Sequence, residues 1–325
     1  MDHELHPAET AEVRPGPSVT RRELRARRGR RPLGAAPWIT AACWVLGVAI
    51  LLYPTAAAWI SQYNQSTLIG FYDRQVEHAS PDGRTQIKNA RAYNEALSSG
   101  VLLPAGANAP VGAGESRDSA ARPYRSQLVT PSGMMARLRV PAIDLDLPIF
   151  HGTDDDTLLR GLGHLEGTSL PVGGSSTRSV ITGHRGLASA KMFTNLDRVK
   201  TGDTFTIETF GEVLTYRVKD VTVVAPEDTE TLHQVAGEDL VTLITCTPLG
   251  VNSHRILVTG ERITPTPPAD VEAAGKPSAV PHFPWWIPAM IGAILLAVVY
   301  LRWAGRPISK SRAETRHIRS RERSE

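Results

Sequence analysis

The hydrophobic pattern changes character several times along the chain. Trp38 to Ile60 is an uncharged run of 23 residues, mostly Ala, Val, Leu, Ile and Trp. It is long enough to cross a hydrocarbon core, which takes about 20 helical residues. Residues 61–98 carry scattered apolar positions, Tyr72, Val76, Ile87, Tyr93 and Leu97, among Gln, Glu, Arg, Lys and Asn, and read as a helical segment. Residues 99–132 are rich in Gly, Ala, Ser and Pro and read as a lid or linker. From 133 to 263 the pattern is β. Thr204–Thr209 and Leu214–Lys219 alternate, while Val180–Thr182, Leu240–Thr245 and Ile256–Val258 are short β-branched runs. Many short strands with Gly and Pro turns predict a barrel or sandwich of single-domain size. Thr153 and Asp156 resemble a capping box and predict one short interrupting helix at Thr157–Arg160. Residues 264–284 are Pro-rich and read as an extended spacer. A second uncharged run, Trp285–Leu301, predicts another spanning helix over 285–303.

Charge adds an orientation. Residues 1–37 hold eight Arg and five acids, and residues 302–325 hold eight Lys or Arg and three acids. The stretch between them has 20 basic and 25 acidic residues, a split hidden in the overall +3. Basic flanks next to apolar spans mark the cytoplasmic side, so 1–37 and 304–325 are expected inside the cell and 61–284 outside. Adjacency to the spans accounts for the Arg-rich ends without nucleic acid, and membrane lipid is the expected contact. Ala56-Ala57-Ala58 also offers a cleavage site, so the first run reads either as an uncleaved anchor or as a signal peptide.

Two cysteines matter. Cys43 lies inside the first apolar run, and Cys246 stands alone in the outer region. With no partner on its own side of the membrane, Cys246 is either an inert core residue or a reactive thiol. A thiol nucleophile needs a nearby base or cation, and a donor for the oxyanion it generates. His78, His151, His164, His184, His233, His254 and His282 are the histidines between the two spans. His184 follows the strand Ser179–Thr182 within Thr-Gly-His-Arg-Gly-Leu, where Gly183 and Gly186 let the backbone turn sharply. It is either a structural residue or a base. Arg255 opens the strand after that of Cys246, and an antiparallel hairpin would set the two side by side. A guanidinium there can favour a thiolate and hold an oxyanion; otherwise it is a solvated strand-end charge. Gly161, Gly163 and Gly167 lack a dinucleotide fingerprint's context. His164 near Glu166 reads as packing. Neither HExxH nor CxxC occurs, so no metal site is expected.

Three segments carry a family resemblance: 163–174, Gly-His-Leu-Glu-Gly-Thr-Ser-Leu-Pro-Val-Gly-Gly; 181–197, beginning Ile-Thr-Gly-His-Arg-Gly-Leu; and 242–262, beginning Thr-Leu-Ile-Thr-Cys-Thr-Pro-Leu-Gly. Together they resemble the sortases, most closely the class C pilin-polymerising type, over about residues 65–303. The resemblance implies an eight-stranded β-barrel with short helices, flanked by two transmembrane helices. It implies a cysteine transpeptidase that needs no cofactor, with Cys246 as nucleophile, His184 as general acid/base and Arg255 as the oxyanion-stabilising residue. The implied partners are pilin or surface proteins with LPxTG-like C-terminal sorting signals, and an amine acceptor. A pilin lysine is the expected acceptor, and a peptidoglycan amine, as in housekeeping sortases, is the alternative. A non-catalytic anchored β-domain is the reading from another class; it would leave Cys246 unreactive. The sequence departs from class C at the lid. Val101–Gly106 keeps a proline, Pro104, without the Asp before it or the aromatic after it.

Overall fold

The computed structural model describes residues 34–97 and 124–306. Val101–Gly106 and most of the expected lid lie outside them. The chain divides into two compact units, one containing residues up to Ile50 together with those from Ala289 onward, the other Leu51–Pro288.

Helix α1 is one continuous element, Ala35–Glu77, with Pro54 inside it. Its apolar first half and the C-terminal helix α5, Trp286–Ala304, are both long and apolar enough to cross a membrane. The Trp44 indole donates to the Ala293 carbonyl at 3.3 Å. The second half of α1 is amphipathic and packs on the barrel. Tyr72, 1 % exposed, donates its hydroxyl to the Met135 carbonyl at 2.9 Å and accepts the Phe210 N–H at 3.0 Å. A short turn leads to α2, Gly83–Ala96, whose N-cap Asp82 accepts from Arg84 N and Thr85 N. Ile87, Ala90, Tyr93 and Asn94 repeat at helical spacing and are buried against the barrel.

Eight strands close a barrel: β1 Met134–Val140, β2 Leu145–His151, β3 Leu162–His164, β4 Thr177–Thr182, β5 Thr204–Thr209, β6 Glu212–Val224, β7 Asp239–Thr247 and β8 His254–Arg262. Their order around it is β1-β2-β3-β4-β7-β8-β6-β5. The pairings are antiparallel except β2/β3 and β4/β7, which are parallel. The short helix α3, Asp155–Arg160, precedes β3. Its N-cap is Asp154, which accepts the Thr157 N–H at 2.9 Å, rather than the expected Thr153.

Strands β4 and β7 are apolar on both faces. Ile181, Val241 and Leu243 fill the barrel with Phe205 and Ile207. Val180 and Ile244 face outward and are covered by Leu165, Leu232 and Leu257. This double burial explains why neighbouring positions such as Val180 and Ile181, or Leu243 and Ile244, are both apolar.

Residues 264–284, which read as an extended spacer, run along the barrel wall and carry helix α4, Pro268–Ala273. Arg137, 2 % exposed, makes a bidentate pair with Asp146 at 2.8 Å for both contacts and donates to the Lys276 carbonyl at 3.0 Å. Arg139 donates to the Ala273 carbonyl, and Glu208 accepts the Gly275 N–H. Burial raises the Glu208 carboxyl, and the Arg137 cation opposes the rise.

Candidate active site

The parallel pairing of β4 with β7 ends at Thr182↔Ile244. Beyond it, Gly183 N donates to the Ile244 carbonyl at 3.1 Å, and the Thr245 hydroxyl donates to the Gly183 carbonyl at 2.7 Å. Cys246 stands two residues beyond Ile244 on β7, and His184 stands two beyond Thr182, in the loop that leaves β4. On the other side of β7, Cys246 is the direct antiparallel partner of Arg255. Cys246 and Arg255 thus lie on the adjacent strands β7 and β8, and His184 lies in the loop that leaves β4, the other neighbour of β7.

Each is placed by its surroundings. A side chain at Gly183 would meet Leu162 and Phe193 at 2.6 and 2.9 Å, so only glycine lets the chain leave β4 here. The loop then closes on itself: the His184 carbonyl accepts from Phe193 N at 3.0 Å, and Gly186 N donates to the Thr194 hydroxyl at 3.1 Å. Arg255 is 5 % exposed, which excludes a solvated strand-end charge. It donates to the carbonyls of Asn252 and His254 at 2.8 and 3.0 Å, so the β7–β8 loop fixes its guanidinium.

The electrostatics differ from a simple thiolate pair. Cys246 is half-buried; burial pushes its thiol up, and the Arg255 charge pulls it back only in part. His184 is also half-buried, and burial lowers its imidazole, opposed by the charge of Asp155. Near neutral pH the pair rests as thiol and neutral imidazole. Alkylation of Cys246 by iodoacetamide should accordingly keep rising above the ordinary thiol range, about 8.5. Arg255→Gln removes the opposing cation and should move that titration further up. A midpoint at or below 8.5 in the parent, or one that falls in the variant, would contradict this balance.

Arg185 received no role in the sequence reading. Its guanidinium donates to the Thr247 hydroxyl at 2.7 Å and to the Thr194 carbonyl at 3.3 Å, and pairs with Asp197 at 2.8 Å. One side chain thus ties the neighbour of His184 to the neighbour of Cys246. The available signal was its adjacency to His184, but contact with Thr247 is a long-range fact.

The other histidines serve elsewhere. His164 is fully buried, bonded to the Tyr124 hydroxyl at 2.9 Å and the Ser169 carbonyl at 2.9 Å, and burial holds it down to about 4. His151 contacts the Gln127 carbonyl and His282 contacts Asp144. His254 lies opposite Thr247, exposed and bonded to Ser253. Among the described residues no group of three or more His, Cys, Asp or Glu could hold a metal.

A sortase domain model matches residues 138–263. The crystal structure of sortase C-1 from Actinomyces oris is 49 % identical, covering 56 % of this chain and 98 % of that one, with a TM-score of 0.50. Sortase C of Streptococcus pneumoniae is 36 % identical over 62 % of this chain and 99 % of that one, with a TM-score of 0.54. Sortase A of Streptococcus agalactiae is 28 % identical over 127 residues, 38 % of this chain and 51 % of that protein. The chain spans about half the length of the curated relatives it matches. By this barrel, and by its similarity to a sortase C that it covers almost completely, the chain belongs to the sortase family.

Proposed function

We propose that the chain is a membrane-anchored cysteine transpeptidase that cleaves an LPxTG-like sorting signal and joins the new acyl end to an amine. The observation that carries this reading is the register: Cys246 is the direct partner of Arg255 on β8, and on its other side β7 pairs with β4, the strand that leads into His184.

The Cys246 thiol passes its proton to His184 as Sγ attacks the Thr–Gly carbonyl carbon of the substrate. The carbonyl oxygen becomes an oxyanion and accepts hydrogen bonds from Arg255. The C–N bond breaks, His184 returns the proton to the departing glycine amine, and a thioacyl-enzyme remains. An incoming amine then attacks the thioester. His184 takes the amine's proton, and the thiol leaves and regains one. Burial of both groups supports a resting neutral pair that separates charge only when the substrate completes the site.

A pilin lysine is the acceptor that the similarity to sortases C favours, which makes the product an isopeptide bond in a growing pilus. The apolar helices α1 and α5 suggest membrane anchoring, and the basic flanks support a reading with both termini in the cytoplasm and the barrel outside. Mass spectrometry tests the reading. A sorting-signal peptide should leave an acyl adduct on Cys246, released by a pilin lysine faster than by water or by a peptidoglycan-type amine. Absence of any adduct would end the transpeptidase reading, and preference for the peptidoglycan-type amine would move the chain to the housekeeping role.

Arg185 is proposed as a positioning residue within this site. Arg185→Gln should lower kcat about tenfold through misplacement of the His184 loop against Cys246, with KM and thermal midpoint nearly unchanged. Thr247→Val should add little to it, because both changes break one link. Additive losses, or a loss that appears only in KM, would refute the link.

A further inference from the structure

Two tryptophans set a height on α1. The helical rise from Trp38 to Trp59 is about 31 Å, which matches a hydrocarbon core of about 30 Å. Trp59 stacks on Tyr63 with centroids 5.5 Å apart and meets Trp286 edge-on at 6.3 Å. Its indole N–H donates to the His282 carbonyl at 2.7 Å. Trp286 opens the second apolar helix, so the outer aromatic ends of both apolar helices share one level. Indoles settle where hydrocarbon meets headgroups. Phe283 and Trp285, 62 % and 75 % exposed, extend this apolar surface.

A groove of about 370 Å³ lies at that level. One wall is Pro54–Gln62 of α1, and the other is the loop that follows His184, through Leu187, Ala188 and Lys191. Thr55 lies one turn of helix before Trp59, about 6 Å toward the bilayer. This loop lines a groove that runs from Pro54 to Gln62 and so straddles the indole level. Its chemistry suits that depth: Ala188 and the Lys191 ammonium are exposed, while Leu187 is anchored against the barrel core. Long cationic side chains extend to lipid phosphates from such positions.

We propose that Leu187–Lys191 is a phospholipid-contacting loop, seated in the headgroup layer with Lys191 meeting a lipid phosphate. The loop begins three residues after His184, and Arg185 between them bonds Thr247, the neighbour of Cys246, so lipid contact holds the site at a fixed height above the bilayer. A substrate tethered in the same bilayer then presents its cleavage point at that height. This consequence rests on the transpeptidase reading; the lipid contact does not.

Two measurements test the proposal on the full chain in vesicles of phosphatidylcholine and phosphatidylglycerol. In the first, a photo-crosslinking amino acid replaces exposed Ala188, or, as a control, exposed Ser175 at the opposite end of β4. A phospholipid adduct is expected from position 188 and not from 175. Equal yields from both positions, or an adduct only to protein, would overturn the contact. In the second, Lys191→Glu should slow turnover of a lipid-anchored sorting-signal peptide about tenfold relative to the same soluble peptide. Equal effects on both peptides would overturn the height-setting role. A parent chain inactive on both would sink the transpeptidase reading instead, and the adduct would still decide the contact.

Discussion

Cys246→Ala should give a folded protein that captures no sorting-signal peptide and releases none of its C-terminal fragment. Nothing else in the proposed site can form the acyl-enzyme, so the loss should reach the detection limit rather than a residual fraction. The structural cost is small. Cys246 is half-buried near the end of β7, outside the cluster that fills the barrel. Removal of one sulfur there should cost roughly 1 kcal/mol, the centre of the distribution for point changes. Circular dichroism and thermal melting separate the two effects. A variant that melts like the parent and still cleaves the peptide would disprove the assignment of the nucleophile.

Arg255→Lys has the next largest expected effect. A guanidinium presents planar donors in fixed directions, and the Asn252 and His254 carbonyls hold this one in place. An ammonium on a flexible stem keeps the charge and loses the geometry. Turnover should therefore fall on the order of 10²-fold, the magnitude of one lost oxyanion donor. Peptide binding should change much less, because the oxyanion exists only after attack. The retained charge should also leave the Cys246 alkylation profile closer to the parent than Arg255→Gln does. A Lys variant within about threefold of the parent, far short of a lost oxyanion donor, would remove Arg255 from the chemistry.

These two expectations come from different levels of the molecule. Cys246, His184 and Arg255 could be picked out as candidates because their signals are local: a cysteine alone between two apolar runs, a histidine framed by glycines at a strand end, an arginine at the start of the following strand; their roles came only from the resemblance of the surrounding segments to sortases. The two apolar helices were legible for the same reason, since a spanning segment is defined by its own composition. The alternation in β5 and β6 announced strands, because one face of each must be buried.

The tertiary structure decided what depends on partners distant in sequence. The parallel pairing of β4 with β7 joins residues more than 60 positions apart, and no periodicity encodes which strand a buried strand will neighbour. The docking of 264–284 depends on Arg137 and Arg139, whose acceptors lie in a stretch whose prolines alone suggested extended chain. Tyr124, near the end of the Gly-rich stretch, is fixed by His164 across the barrel wall. The charge state of the site is the sharpest case. The sequence suggested that Arg255 could favour a thiolate, yet the folded surroundings raise the Cys246 thiol despite that cation. Residue identity specifies which charges are available. Burial, which only the packed chain defines, determines how strongly solvent is withdrawn from each of them, and for Cys246 that withdrawal outweighs the neighbouring charge.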